Sequence, residues 1–193
     1  ASVLSAWAAF QTSLWGGMQA TAYARANAAQ TEASELDLEA GRQRTEWLAL
    51  LHAWLDAAAG GDQRRMMFYE RHLPPDVRAR FDAWRAVLPR DIASYQPTAS
   101  DPPFALPKIT PPGFAAAAQR RNQAAALLAE GETANRNGDQ FGLASVVLAL
   151  SLFLAGISQP MRRQRSRLVI VVIAILLLLA AAVYMATLPL APF

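Results

Sequence analysis

Two uncharged apolar runs, separated by a short arginine-rich loop, constrain this chain more than any other feature of its sequence. Residues 141–158 and residues 168–188 contain no charged side chain, and the second run is mostly Leu, Ile, Val and Ala. At the helical rise per residue, the runs measure about 27 and 31 Å, close to the hydrocarbon thickness of a bilayer. We therefore expect two transmembrane helices. Their length and purity disfavour the alternative, a pair of buried core helices.

The loop between the runs, residues 159–167, sets the expected orientation. It holds four basic residues and no acidic one: Arg162, Arg163, Arg165 and Arg167. Loops rich in Lys and Arg stay on the cytoplasmic side, so we expect residues 18–140 and 189–193 to be extracytoplasmic. Topology alone accounts for these arginines, and a sharper interpretation adds contact with anionic lipid head groups or an acidic partner.

The distribution of charge argues against a nucleic-acid partner. The 193-residue chain has a net charge of +3, yet all 15 acidic residues and all basic residues except the four loop arginines lie between Arg25 and Asp139. That stretch is nearly neutral and shows no basic stripe of the kind that binds nucleic acid. The chain has no cysteine, which fits an oxidising compartment without demonstrating one.

The first charged residue is Arg25, and residues 1–17 carry an apolar stripe at helical spacing. The stripe comprises Val3, Trp7, Phe10 and Leu14. We interpret residues 1–17 as the distal part of a further transmembrane helix that begins before this numbering. The alternative is a mature N-terminus, left by signal cleavage, that forms an amphipathic helix on the membrane. Trp15 and Tyr184 are predicted to be interfacial aromatic residues.

The sequence pattern of the polar segment between these regions predicts several helices. We predict a long helix over 18–59, ended by a Gly-Gly pair, and a short helix capped by Asp62 and running through His72. A third helix follows over about 75–88. Residues 89–112 are rich in proline and predict an extended strap, and residues 113–137 predict a second long helix that leads into the first apolar run. No strand pattern is present.

Scattered aromatic and proline positions resemble those of a group of bacterial membrane proteins for which no activity is established. They are Ala6-Trp7, Phe10-Gln11, Trp15, Gly17, Gln19-Ala20, Phe68–Arg71, Pro75, Arg78, Phe81, Ala83-Trp84 and Pro103–Pro107. The resemblance implies three transmembrane helices with an extracytoplasmic helical domain between the first and the second. The fold expected is thus an all-α membrane protein, a transmembrane helical bundle whose long helices extend into an extracytoplasmic helical domain.

No residue pattern predicts a catalytic, cofactor-binding or metal site. His52 and Asp56 have the i,i+4 spacing of a ligand pair but lack the further residues that a metal would need. The sequence Glu70-Arg71-His72 suits a helix C-terminus. The apolar runs contain no Asp, Glu, Lys, Arg or His, which argues against a proton relay, a pump or an ion pathway through this chain alone.

Small residues in the first run predict close helix packing, either within the chain or against a partner. They are Gly142, Ser145, Ala149, Ser151 and Ala155. We therefore expect a non-enzymatic accessory subunit of a larger membrane complex, respiratory or photosynthetic hosts being examples. The alternatives are a homo-oligomeric pore and an extracytoplasmic sensor or enzyme. All but one of the 18 basic residues are Arg, which with abundant Ala indicates a GC-rich bacterium. We expect the helices to cross the bacterial inner membrane.

Overall fold

The computed structural model describes residues 2–86 and 110–192, and every regular element in these ranges is an α-helix. The helices are α1 (Ser2–Ala59), α2 (Gln63–His72), α3 (Pro75–Ala86), α4 (Pro112–Ser158) and α5 (Gln164–Thr187). The predicted all-α class is confirmed. Two of these helices, α4 and α5, are long and apolar enough to cross a membrane.

The chain divides into two compact units. The apolar unit comprises Ala1–Gln30 and Asn122–Phe193, and the polar unit comprises Thr31–Arg121. The two longest helices, α1 with 58 residues and α4 with 47, each contribute to both units.

In the apolar unit, α1 and α4 pack through small residues. Gly138 of α4 lies against Trp15 of α1, because a Cβ added at Gly138 would be 3.4 Å from the Trp15 Cβ. A Cβ added at Gly131 would overlap the ring of Tyr23. The absence of a side chain at these two positions, seven residues apart, allows the Tyr23 ring and the Trp15 Cβ of α1 to approach the α4 backbone.

The core of the apolar unit also includes α5 and the C-terminal tail. Its buried residues come from all of these segments: Ala8, Trp15, Ala134, Phe141, Ala144, Leu148, Ala181, Met185 and Ala191. Ser151 Oγ donates a 2.8 Å hydrogen bond to the Ala174 carbonyl and joins α4 to α5. The Ala191 amide donates a 2.9 Å hydrogen bond to Gln11 Oε1, which fastens the tail to α1.

In the polar unit, aromatic rings from three helices form the core. Trp54 of α1 meets Phe81 and Trp84 of α3 edge-on, with ring centroids 5.1 and 5.9 Å apart. Leu51, Leu73 and other apolar side chains close this cluster. Aromatic rings bury large areas and favour tilted contacts, so one Trp can hold two helices.

The predicted boundaries of α2 are confirmed in detail. Asp62 accepts a hydrogen bond from the Arg65 amide, as an N-cap residue does, and α2 ends at His72. Gly61 has a φ of 71°, a value that favours glycine, and it reverses the chain after α1. The capping residue and the glycine pair in the local sequence were therefore sufficient to predict this turn.

Two predicted boundaries differ from the structure. The loop predicted over 159–167 is shorter, because α5 begins at Gln164 and takes Arg165 and Arg167 into its first turn. Arg and Gln are good helix formers, so charge alone did not mark the helix end. The predicted proline strap over 89–112 falls largely outside the described residues, and its last residue, Pro112, is the first residue of α4, where proline is well tolerated.

In the polar unit, α1 and the start of α4 are also joined by charge. Glu32 pairs with Arg120 at 2.9 Å, and Asp37 pairs with Arg121. A Cβ added at Gly113 would be 3.0 Å from the Ala40 Cβ, so α1 and α4 approach closely in this unit. These exposed pairs fix which residues face each other more than they add to stability.

Candidate functional site

The most distinctive surface of the apolar unit is the exposed apolar side of α4 and α5. Only 28% of the most apolar 18-residue stretch of α4 is buried, and only 17% of the corresponding stretch of α5. Large side chains such as Val146, Phe153 and Leu176 are more than half exposed. A core helix of a soluble protein buries most of such an apolar stretch, so this exposed surface is suited to lipid or to another protein.

The five predicted packing residues of α4 are divided between two sides of the helix. Ser151 is buried and bonds to α5, whereas Ala149 and Ala155 are exposed, and Gly142 and Ser145 are half-buried. The structure therefore assigns Ser151 to packing within the chain. It leaves Ala149 on the surface.

The exposed side of α4 carries a run of small residues with a period of seven. Gly142, Ala149 and Gly156 follow one another at this spacing, and a Cβ added at either glycine would meet no atom within 4 Å. Residues at this interval lie nearly above one another on a helix. Val146 and Phe153 are large, exposed and lie between these residues on the same side, so this small-residue row is a series of separate gaps in the apolar surface.

The hydroxyl groups of this apolar segment are all used by backbone carbonyls. Ser145 Oγ donates to the Gly142 carbonyl at 2.8 Å, and Ser158 Oγ donates to the Ala155 carbonyl at 2.6 Å. Ser151 is bonded across to α5 in the same way. These hydroxyl protons are therefore satisfied within the chain, and the hydroxyl oxygens keep their lone pairs.

The four predicted arginines all lie exposed around the start of α5. Arg163 is the N-cap residue and makes no side-chain cap hydrogen bond. An open cleft of about 350 Å³ beside them is lined by Gln164, Arg167 and the apolar residues that follow. Among the described residues these guanidinium groups form no ion pair, and exposed arginines next to an apolar helix match the boundary between lipid head groups and acyl chains.

The two predicted interfacial aromatic residues differ in environment. Tyr184 is 38% exposed on α5, as an interfacial ring would be, but Trp15 is only 7% exposed and lies in the core of the apolar unit. Trp15 packs between α1 and α4, where a Cβ added at Gly138 would be 3.4 Å from its Cβ, and its predicted place at the membrane interface stays a prediction. Its indole nitrogen has no hydrogen-bond partner among the described residues.

Gln11 is a polar residue that sequence reasoning missed. It is fully buried in the apolar unit, where its Oε1 accepts the Ala191 amide and its Nε2 has no partner in the part of the chain that is described. Burying an amide costs free energy unless it is hydrogen-bonded, so this contact specifies where the tail lies. The partners are 180 residues apart in sequence, and no local pattern could have indicated them.

A second feature that sequence reasoning missed is the environment of Glu70. Its carboxylate accepts hydrogen bonds from Trp54 Nε1 at 3.0 Å and from Arg85 Nη1 at 2.6 Å. Its backbone carbonyl accepts another from Arg78 at 2.8 Å. Glu70 thus joins α1, α2 and α3, which is a structural role.

The remaining residues that the sequence offers as candidate site residues do not lie together in one site. His52 and Asp56 are both exposed on α1, and His72 Nδ1 lies 2.7 Å from the Phe68 carbonyl of its own helix. Among residues 2–86 and 110–192, no three His, Cys, Asp or Glu side chains are grouped so as to hold a metal ion.

One open cleft in the apolar unit does bring charged and apolar residues together. It has a volume of about 410 Å³ and is lined by residues of α1, by Glu130 of α4 and by Pro192 of the tail. The α1 residues are Leu14, Gly17, Met18, Thr21, Ala22 and Arg25.

Comparison with protein-family models, with curated proteins and with solved structures found no match to this chain. The resemblance to a group of bacterial membrane proteins therefore stays a prediction from the sequence.

Proposed function

We propose that this protein is a non-enzymatic accessory subunit of a larger bacterial inner-membrane complex. In this proposal α4 and α5 cross the membrane, the first residues of α1 lie beside them in its outer half, and the polar unit is extracytoplasmic. The observation that carries the proposal is the exposed apolar side of α4 and α5, in which the small-residue row of Gly142, Ala149 and Gly156 leaves gaps.

The small-residue row favours a protein partner over lipid alone. In a bilayer, helices associate through close packing, because lipid tails are as apolar as leucine side chains. The gaps at Gly142, Ala149 and Gly156, between large exposed side chains of α4, give the side chains of a partner helix a place to pack.

The inventory of polar groups supports a structural role. The hydroxyls of α4 in the apolar unit are bonded to carbonyls, and Glu70 in the polar unit links three helices. The apolar runs contain no Asp, Glu, Lys, Arg or His that could relay protons or ions. What remains is an exposed apolar helical face, which suits holding or orienting other subunits.

The test is the assembly state of the full chain at native expression level. After extraction in mild detergent, size separation and mass spectrometry would identify the proteins that co-migrate with it. We expect a defined set of other subunits in fixed ratio. A single species at an integer multiple of 20.9 kDa would overturn the proposal in favour of a homo-oligomer, with a pore as the next question.

A matched pair of variants locates the contact. Ala149→Trp fills the central gap of the small-residue row and should release the co-migrating subunits, while Leu176→Trp places the same ring on the exposed side of α5 and should leave them bound. Equal behaviour of the two variants would contradict a partner at α4.

A further inference from the structure

Helix α2 of the polar unit presents two large apolar side chains to solvent. Met67 is 50% exposed and Phe68 is 56% exposed, although side chains of these types are usually buried. By contrast, Trp54 and Phe81 of the same unit are each 1% exposed. The Phe68 ring also contacts the His72 ring, with centroids 4.2 Å apart, so it has a neighbour that holds its orientation.

The two apolar side chains lie on the side of α2 that faces away from the core. On the core side, Met66 and Tyr69 pack against the aromatic cluster, and the Glu70 carboxylate bonds to α1 and α3. Four exposed residues at spacings of three, one and three share the opposite side, here called the α2 outer face: Arg64, Met67, Phe68 and Arg71. Because α2 is anchored from behind, this face is a fixed surface of the polar unit.

The α2 outer face is basic at both ends. Neither the Arg64 nor the Arg71 guanidinium forms an ion pair with another described residue. The acidic residues nearest to them in sequence are already engaged, because Asp62 accepts from the Arg65 amide as the N-cap and Glu70 is bonded on the core side. An apolar pair therefore lies between two arginines, with no carboxylate on the same face.

This arrangement complements a protein segment that carries apolar residues between two carboxylates. Protein interfaces are enriched in Met, Arg and aromatic residues, and a guanidinium binds a carboxylate through two parallel hydrogen bonds. Arg64 and Arg71 are seven residues apart, about 10 Å along the helix axis. Carboxylates seven residues apart on a partner helix have the same separation and could meet both arginines.

Two other occupants fit this face less well. In a symmetric contact between two copies of this chain, Arg64 and Arg71 would lie against the same arginines of the second copy. Binding of a helix to a bilayer surface scales with the apolar area that it buries, and two apolar side chains on a ten-residue helix supply little.

We propose that the α2 outer face binds an acidic amphipathic helix of a partner subunit. Met67 and Phe68 pack against the apolar residues of that helix, while Arg64 and Arg71 pair with its carboxylates. The inference rests on the proposed function, because it takes the occupant from the partner subunits. It adds a contact in the polar unit that is independent of the apolar side of α4.

The test begins with the assembled protein. A photoreactive benzophenone amino acid replaces Phe68 in the full chain at native expression level, and mass spectrometry then identifies the cross-linked peptides. We expect one segment of another subunit, in which acidic residues flank apolar ones. A neutral or basic segment, a lipid or a second copy of this chain as the product would overturn the proposal.

Leu38 of α1 is the matched control position for this cross-link. It is an apolar side chain of the same unit and is 75% exposed, but the nearby Arg42 is already paired with Glu39 and Glu46. The benzophenone amino acid at Leu38 should not label the segment that Phe68 labels. Labelling of one segment from both positions would show non-specific contact and contradict docking on the α2 outer face.

The cross-linked segment, made as a synthetic peptide, then tests the chemistry of the contact. Arg64→Gln combined with Arg71→Gln should weaken peptide binding to the purified full chain by about tenfold, as two partly shielded ion pairs predict. Phe68→Ala should weaken it as well, because the apolar contact is lost. The control is Arg65→Gln, which removes an exposed charge of α2 outside this face and should leave the affinity unchanged. Equal weakening by the control would show a general charge effect and overturn the proposal.

Size separation of the cross-linked sample distinguishes this inference from the proposed function. If a defined set of subunits co-migrates with the chain and Phe68 labels none of them, only docking on α2 is wrong. If no other subunit co-migrates, the proposed function is wrong and the acidic occupant falls with it.

Discussion

At the scale of single residues, the polar unit depends on one carboxylate. Glu70 accepts from Trp54 and Arg85, and the Arg85 guanidinium also lies 5.7 Å from the centre of the Trp54 ring. Neutralising Glu70 would thus weaken the attachment of α3 to α1 as well as one ion pair.

We expect Glu70→Gln to lower the stability of the polar unit by about 1–2 kcal/mol, because a part-buried charge-assisted bond is lost while the amide oxygen can still accept from Trp54. Thermal unfolding followed by tryptophan fluorescence measures this change. Glu46→Gln, an exposed pair partner of Arg42 on α1, is the control and should cost much less. Equal losses for the two variants would contradict the role of Glu70.

Residue-level charge also acts locally on α1. Hydrogen bonds from Arg42 and, secondarily, from Gln43 lower the pKa of the exposed Glu39 carboxyl below its ordinary value. This effect follows the i,i+3 and i,i+4 spacing of the three residues and could be read from the sequence. The bonds of Glu70 could not, because they join different helices whose separation only the fold determines.

At the scale of helices, the sequence predicts where helices begin and end better than it predicts which side of each helix packs against the rest of the chain. The Gly-Gly stop after α1 and the Asp62 cap of α2 are local signals, and the structure confirms both. The small residues were expected to form one packing face of α4, yet the structure buries Ser151 against α5 and exposes Ala149. Hydropathy does not distinguish two apolar faces, so the side that meets its own chain becomes clear only with the neighbouring helices present.

The period of seven along α4 was the available signal for helix packing. Gly131 and Gly138 face α1, and Ala134, Phe141 and Leu148 of the buried core repeat at the same interval. A repeat of seven buried positions is the pattern of helices that pack side by side over many turns. Searching for small residues at this spacing, in addition to large apolar ones, would have indicated the pairing of α1 with α4.

A pair of glycine variants tests this packing. In an open helix position, Gly→Ala stabilises by about 0.5–1 kcal/mol, and Gly41 of α1 is such a position because a Cβ there meets no atom within 4 Å. At Gly131 the new Cβ would overlap the Tyr23 ring, so the gain should be cancelled or reversed. Thermal unfolding of Gly41→Ala and Gly131→Ala in the same detergent provides the comparison. Stabilisation by both would show that α1 and α4 do not pack closely at Gly131.

At the scale of the whole molecule, the central prediction is orientation in the membrane. Four exposed arginines lie between the two apolar runs of the sequence, and residues 140–193 contain no acidic residue to offset them. Moving an arginine through the centre of a bilayer costs about 2.5–3.5 kcal/mol on insertion scales, so four of them strongly favour retention of the loop in the cytoplasm.

Because the chain contains no cysteine, single cysteines report this orientation directly. Ala59 at the end of α1 and Gln159 in the turn after α4 are both exposed. We expect Ala59→Cys to react with a membrane-impermeant maleimide in cells whose outer envelope is permeabilised, and Gln159→Cys to react only after the inner membrane is broken. The reverse pattern would place the polar unit in the cytoplasm.

Replacing the four arginines by glutamine gives the matching test of cause. If their charge holds the loop inside, the neutral chain should insert in both directions, and Gln159→Cys should become partly reactive before lysis. An unchanged labelling pattern would mean that other parts of the chain determine its orientation. In that case Arg162, Arg163, Arg165 and Arg167 would be left to their second predicted role, the binding of anionic head groups, which lipid retention by the neutral variant would then measure.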